Sequence, residues 1–386
     1  MQPFIPYGRQ SINEADIQAV VDVLKSDFIT QGPAIERFEQ AVAQYCGVKF
    51  AVSVSNATAA LHMACLALDL GPDDTLWTAP NTFVASANCG RYCGASVDFV
   101  DIDPATYVMD VAALEAKLKA AQAKGQAMPK VVIPVQFAGQ CVEMDRLAQL
   151  AKVYGFAVVE DAAHGIGGKY RQKPIGSCQF SEMTVFSFHP VKIITTAEGG
   201  MITTNREDLY QTLLRLRSHG ITRDERFMRN PSEGPWYYEQ TELGLNYRMT
   251  DMQAALGHSQ MERLDAFVAK RHALAKRYDA LLADLPVTRP QQHPDSYSAL
   301  HLYPIQVNRP ELRRPVFEAL RAANIGVNVH YMPVYLQPYY RDLGFEPDLC
   351  PNAEAYYQRA ISLPLYYDLT EAEQDRVIET LKAALS

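Results

Sequence analysis

The pattern that most constrains this chain is the alternation of short β-type runs with helix-like segments through its first half. Apolar, β-branched or aromatic runs fall at residues 50–53, 75–78, 97–100, 131–135, 157–160, 184–188 and 201–204. Helical periodicity fills several of the intervals, at 57–68, 111–121, 144–154 and 208–217. Parallel strands need a crossover between them, and helical crossovers cover both faces of a sheet. The expectation is an α/β fold whose large domain, residues 1–250, holds a mostly parallel seven-stranded sheet flanked by helices. The chain has 386 residues, too many for one small core. From 250 to 282 the pattern is helical throughout, and the Pro-rich stretch 285–294 reads as a connector. A strand at 301–307, a helix at 311–323, a strand at 327–330 and a helix after Thr370 then predict a smaller α+β C-terminal domain within 251–386.

Two of the β-type runs stop on reactive groups. Asp161 follows one, and Ser187, His189 and Lys192 lie at or just past the end of the other. Ligands of α/β proteins collect at the carboxyl edge of the parallel strands. A lysine that can form an imine and a carboxylate that can keep a ring nitrogen protonated are the pair pyridoxal phosphate requires. Taken singly, Asp161 reads as a helix N-cap and Lys192 as a solvated loop residue. Earlier, VSVSNATAALHMACLAL (52–68) runs from a strand straight into a helix whose first turn is Asn56, Ala57 and Thr58. Free N–H groups, the helix dipole and the Thr58 hydroxyl make a phosphate site there. A helix merely capped by Ser55 or Asn56 is the plainer alternative. The chain has no G-x-x-x-x-G-K-[ST] loop, and Gly165, Gly167 and Gly168 do not form G-x-G-x-x-G, which disfavours P-loop and dinucleotide-binding enzymes.

Composition removes other classes. Apolar residues make up 48% of the chain but never form a run of about 18, so no membrane span is expected. The start, MQPFIPYGRQ, lacks the apolar core of a secretory leader, and the cytoplasm is the expected location. Seven cysteines without paired spacing fit reduced thiols, and Cys89 and Cys93 lack partner ligands, so no metal site is expected. A formal charge of −8 argues against nucleic-acid binding and leaves an anionic substrate in need of a local basic patch. Residues 218–245 combine Arg223, Arg226 and Arg229 with Trp236, Tyr237 and Tyr238 and show little periodicity. Such a long irregular segment is either functional or a plain surface loop.

The motifs SNATAALH, PNTFVASAN, VVEDAAH, FSFHPVK, TTAEGGMI, RSHG, LNYRMTDMQAALG and ISLPL, in this order, resemble the DegT/StrS nucleotide-sugar aminotransferases over nearly the whole chain. The resemblance implies the type I aminotransferase fold, pyridoxal 5′-phosphate held as an aldimine on Lys192, and pyridoxamine phosphate as the intermediate form. Asp161 would face the pyridine nitrogen, Phe83 would lie against the ring, and His164, where many relatives carry Gln, would sit near the ring hydroxyl. Ala57, Thr58 and Ser187 would hold the phosphate, joined by Asn246 from a second subunit, which implies a homodimer with shared active sites.

Within the family, IPYGRQ, DFITQG, DAAH, SFHPVKIITTAEGG and NVHYMPVY resemble members that use L-glutamate to aminate C4 of a UDP-linked 4-keto-6-deoxy-N-acetylhexosamine in pseudaminic acid synthesis. Sugar-nucleotide contacts would then map to Tyr7, Asp27, Phe28, Ile29, Thr30, Asn56, Asn328, Val329, His330 and Tyr331. Arg223, Arg226 and Arg229 are expected to close over the nucleotide. The alternatives are another UDP- or dTDP-linked keto sugar, aminated at C3 or C4, and a catalytically silent cofactor-binding regulator. The related 3-dehydratases carry His in place of the lysine, and Lys192 is retained here.

Overall fold

The computed structural model describes residues 3–385. Its central sheet has seven strands: β1 (Phe50–Val54), β2 (Thr75–Thr78), β3 (Ser96–Phe99), β4 (Val131–Ile133), β5 (Ala157–Asp161), β6 (Met183–Ser187) and β7 (Gly200–Thr204). They lie in the order β1-β7-β6-β5-β4-β2-β3. Pairings from β6 through β5, β4 and β2 to β3 are parallel. β7 alone runs against its neighbours, aligning Gly200 with Val54 on one side and Ser187 on the other. All seven expected strands are present, each end within two residues of its sequence-based bound.

Helices cover both faces: α1 (Glu14–Leu24), α2 (Pro33–Cys46), α3 (Ala57–Ala67), α4 (Ala85–Tyr92), α5 (Val111–Lys124), α6 (Met144–Tyr154) and α7 (Glu207–Arg217). Local chemistry sets their ends. Asp110 accepts from the Ala112 and Ala113 N–H groups to start α5, and Gly125, at φ 63°, closes it in the left-handed conformation.

The expected helical stretch 250–282 is two helices, α8 (Asp251–Met261) and α9 (Leu264–Leu281). They part at Arg263, whose backbone leaves helical geometry while its guanidinium reaches the buried Asp16 carboxylate and the Ser11 carbonyl. α8 packs on α1 and α2, so it belongs with the large body. α9 spans both cores, with Leu264, Phe267 and Val268 in the first and Leu274, Ala275 and Tyr278 in the second. That second core lies under β8 (Val287–Thr288), β9 (Tyr303–Val307), β10 (Ala360–Leu363), α10 (Arg313–Ala322) and the terminal helix α11 (Glu371–Leu385). Ile5 joins it too, through backbone bonds with Asn324 and Gly326.

The strand expected at 327–330 is not formed. Asn328 makes a single antiparallel bridge to Ser362, and β10 already pairs with β9 on its other side. The segment 218–245 is not wholly irregular, because Ile221–Thr222 and Glu239–Gln240 form a short antiparallel ladder. Among the described residues no helix is long and apolar enough to cross a membrane.

Candidate active site

The carboxyl ends of β1, β5 and β6 and the start of β7 meet around a cavity of about 760 Å3. β5 delivers Asp161 to its floor, and β6 delivers Ser187. The chain then loops over the sheet edge before returning as β7. In that loop the Lys192 N–H donates to the His189 carbonyl (2.8 Å) and the Thr196 N–H to the Phe188 carbonyl (2.9 Å), holding the Lys192 side chain in the cavity.

Opposite, Asn56 caps α3 by accepting the Ala59 N–H (2.8 Å), while the Ala57 and Thr58 N–H groups, first in the helix, have no intrahelical partner and border the cavity. The strand-to-helix turn comes within reach of β7 because position 200 is glycine. A Cβ there would lie 2.6 Å from the Asn56 carbonyl carbon and 2.7 Å from the Ala57 nitrogen. Phe83, 59% exposed, stands over the opening.

Charge in the cavity is tightly managed. Burial pushes the Asp161 carboxyl above its ordinary range, opposed by donation from Ser86 Oγ (2.6 Å) and the Ala163 N–H (3.0 Å) and by the Lys192 ammonium. Burial lowers Lys192 to about 8, with Asp161 pulling the other way. His164 is pushed well below its ordinary value by burial and then by Lys192 and His330, and His330 falls to about 3 from burial and Lys192. Both are neutral imidazoles. His164 Nδ1 accepts the Ala138 N–H (3.2 Å), so its proton sits on Nε2. His330 is bracketed by Ser362 Oγ at 2.7 Å from Nδ1 and Asn328 Nδ2 at 3.2 Å from Nε2.

Of the residues singled out from the sequence, Lys192, Asp161, His164, Ser187, Ala57, Thr58 and Phe83 line this cavity. Tyr7, Asn56, Asn328, His330 and Tyr331 line it as well. Val329 does not, its N–H being folded back onto Asn328 Oδ1 (2.8 Å). Asp27, Phe28, Ile29 and Thr30 are exposed and lie outside it, and Phe28 borders a separate crevice between α1, α2 and α8. Asn246 is exposed beside Tyr247, which does reach the cavity. The three arginines also stand outside. Arg226 is bound by Asp224 (2.6 Å), Arg229 holds the Thr241 carbonyl (2.9 Å), and Arg223 lies over the Tyr238 ring.

Sequence reasoning missed Thr82, Ser86, Tyr92, Glu198 and Tyr247. Thr82, Tyr92, Glu198 and Tyr247 line the cavity, and Ser86 supports Asp161 from behind it. No local signal marks Ser86, because Phe83 precedes α4 and is exposed whereas Ser86 is buried in the helix's first turn. The described residues contain no cluster of His, Cys, Asp or Glu able to hold a metal ion.

The DegT/DnrJ/EryC1/StrS aminotransferase family matches residues 10–382. The UDP-4-amino-4,6-dideoxy-N-acetyl-β-L-altrosamine transaminase of Campylobacter jejuni is 36% identical over 385 residues, covering 99% of this chain and 97% of its own. Two solved structures superpose closely. The sugar aminotransferase Spr1654 of Streptococcus pneumoniae, in its PMP form, has a TM-score of 0.89 at 32% identity over 98% of both chains. Helicobacter pylori PseC, an aminotransferase of pseudoaminic acid biosynthesis, has a TM-score of 0.89 at 30% identity over 99% of both.

Proposed function

Because the chain belongs to the DegT/DnrJ/EryC1/StrS aminotransferase family and is a pyridoxal-phosphate-dependent sugar aminotransferase, we propose that it moves an amino group from L-glutamate to C4 of a UDP-linked 4-keto-6-deoxy-N-acetylhexosamine. The product would be UDP-4-amino-4,6-dideoxy-N-acetyl-β-L-altrosamine, for pseudaminic acid synthesis. The observation that carries the reading is the convergence of Asp161, at the end of β5, and Lys192, in the loop that follows the adjacent parallel strand β6, on one cavity that also receives the start of α3. The cavity fits the cofactor. The close approach that Gly200 permits brings β7 against free helix N–H groups suited to a phosphate, and a carboxylate and an amine stand apart from them on the floor and rim.

Bound there, pyridoxal phosphate supplies the electron sink for the donor's Cα–H bond. Lys192 would tether the cofactor, and its free amine would take the Cα proton at Nζ and later return a proton to the sugar's C4. Its lowered pKa serves this work. At pH 7 roughly a tenth of the amines are neutral at a pKa of about 8, against a few in ten thousand at the ordinary value of 10.5. Asp161 would accept the ring N–H, His164 would offer Nε2–H to the ring hydroxyl, and Ala57, Thr58 and Ser187 would hold the phosphate. Tyr7, Asn56, Asn328, His330 and Tyr331 form the wall that receives the sugar.

Among the described residues Lys192 is the only lysine or arginine lining the cavity, which also contains the carboxylates Asp161 and Glu198. A phosphate, a diphosphate and a glutamate carboxylate need more positive charge than that. The deficit supports a homodimer in which the partner brings Asn246 and the segment carrying Arg223, Arg226 and Arg229. Trp236 and Leu243 on that segment, 73% and 86% exposed, are apolar surface suited to such an interface.

The test is a spectral titration of wild type and Lys192→Ala. L-glutamate should bleach the yellow wild-type enzyme, and the UDP-keto sugar should restore the colour. Bleaching without recovery on this sugar, but with recovery on a dTDP-linked or 3-keto sugar, reassigns the substrate. A wild type unaffected by any amino donor refutes the mechanism.

A further inference from the structure

Ser86 is buried in the first turn of α4, three residues after Phe83, and does not itself line the cavity. Its hydroxyl has one proton and two acceptors in range, Asp161 Oδ2 at 2.6 Å and the Phe83 carbonyl at 3.4 Å. The carboxylate is nearer and charged, so the proton goes there. Ser86 Oγ also lies 2.7 Å from the buried Thr82 Oγ1. With the serine proton committed, that contact is formed by the Thr82 O–H donating to Ser86. The result is a directional chain, Thr82 to Ser86 to Asp161, that begins on a residue lining the cavity.

We propose that Ser86 is a positioning residue for the transamination, fixing the Asp161 carboxylate through the Thr82–Ser86–Asp161 chain so that its remaining acceptor direction faces the cavity. The Ala163 N–H occupies Oδ1 and Ser86 occupies Oδ2, so the carboxylate cannot rotate without breaking one of two charge-assisted bonds. The same chain ties the carboxylate to the loop carrying Phe83. It also opposes burial. The charged or titratable groups around Asp161 are Lys192, from the β6–β7 loop, and Tyr331, from the segment between α10 and β10, with neutral His164 on its own strand's extension. Of these only Lys192 favours the ionised carboxylate, and Ser86 is the largest opposing influence on its upward shift.

The inference rests on Asp161 receiving the ring N–H, and the test separates the two. Isotope-edited infrared titration of the Asp161 carboxyl in the apoprotein, for wild type, Ser86→Ala, Ser86→Thr and Thr82→Val, reads the positioning role without the cofactor. Losing a hydrogen bond to a charged group is expected to raise the Asp161 pKa by about one unit or more in Ser86→Ala. Ser86→Thr should restore it, and Thr82→Val should shift it the same way by less. In the loaded enzyme, Ser86→Ala should lower kcat at least tenfold with little change in KM, and should weaken the visible circular dichroism of the bound ring. An unmoved Asp161 titration in both Ser86→Ala and Thr82→Val overturns the proposal. A shifted titration alongside an Asp161→Asn variant of normal turnover upholds the hydrogen-bond chain and refutes the role of Asp161 itself. If Ser86→Ala does not fold, the Thr82→Val titration decides.

Discussion

Gly200→Ala probes whether the meeting of β7 with the start of α3 builds the phosphate end of the site. The added Cβ would lie 2.6 to 2.7 Å from the Asn56 carbonyl carbon and oxygen and the Ala57 nitrogen. Ordinary carbon contacts begin near 3.5 Å, so the overlap at the carbonyl carbon is about 0.9 Å. All three atoms are backbone, and β1 and β6 hold β7 in register on either side, so neither partner has a rotamer to yield. Overpacking of this kind costs about 1–3 kcal/mol. Relief can come only by moving the first turn of α3 outward, which displaces the Ala57 and Thr58 N–H groups. The expected result is a lower urea midpoint for the apoprotein and a 5- to 150-fold weaker cofactor Kd, on the order of the same 1–3 kcal/mol. Gly71→Ala, where a Cβ meets only Asp74 Oδ2 at 3.9 Å, is the control and should be neutral. Urea unfolding and absorbance titration of apoenzyme with pyridoxal phosphate measure both quantities. A Gly200→Ala protein with wild-type stability and wild-type Kd refutes the reasoning.

Other outcomes follow from the same geometry. Asp161→Asn should retain cofactor and lose most of kcat, read by single-turnover kinetics, because an amide cannot hold the ring nitrogen protonated. Arg271 is buried, with Nη1 reaching the carbonyls of Leu300 (3.3 Å), His301 (3.2 Å) and Leu365 (2.9 Å). Arg271→Ala strands those three acceptors at the junction of the two cores and should lower unfolding stability by about 2–5 kcal/mol, measured by the urea midpoint. If Asn246 serves the partner's site, inactive Asn246→Ala and Lys192→Ala proteins should complement on mixing. Random exchange of a twofold dimer then restores about a quarter of wild-type sites, and no recovered activity on subunit exchange would place Asn246 elsewhere.

The sheet was legible because each strand is a short apolar run bounded by polar or glycine residues, and burial on both faces leaves nothing else for such runs to do. Asp161 and Lys192 were legible for a related reason, standing where apolar runs stop. The strand expected at 327–330 shows where local pattern runs out. Asn328, Val329 and His330 have the composition of a strand end, but the Val329 N–H turns back onto Asn328 Oδ1, and Asn328 and His330 meet Ser362, a partner no local window contains. Arg263 interrupts a stretch of continuous helical periodicity to reach Asp16, 247 residues away. Ser86 carries no local signal, because its importance depends on a carboxylate 75 residues distant.

The histidines around Lys192 set how the fold responds to acid. His164, His301 and His330 are buried and held below their ordinary value, His301 by burial first and then by His164, Lys192, Arg271 and His330. Unfolded, each would take up a proton near pH 6.5, and folded each resists it. The unfolded state therefore binds more protons below that pH, and stability falls as acid is added. Between pH 6.5 and 5.5 each histidine contributes a loss of about 1 kcal/mol, or about 3 kcal/mol for the three. Asp161 and Glu160 act in the opposite sense, since burial raises both carboxyls and the folded state gains protons sooner than the unfolded one. Their influence grows as pH approaches the ordinary carboxylate range, so the histidine effect is cleanest in the upper part of the window. His301 distinguishes the two contributions, because its Nδ1 is buried without a partner and replacing it removes one titrating group without breaking a side-chain hydrogen bond at that atom. His301→Gln should flatten the dependence of the urea midpoint on pH between 6.5 and 5.5 by about a third. Equal slopes in the two proteins would mean that His301 is already protonated in the folded state, and that the electrostatics drawn here for the cavity floor are wrong.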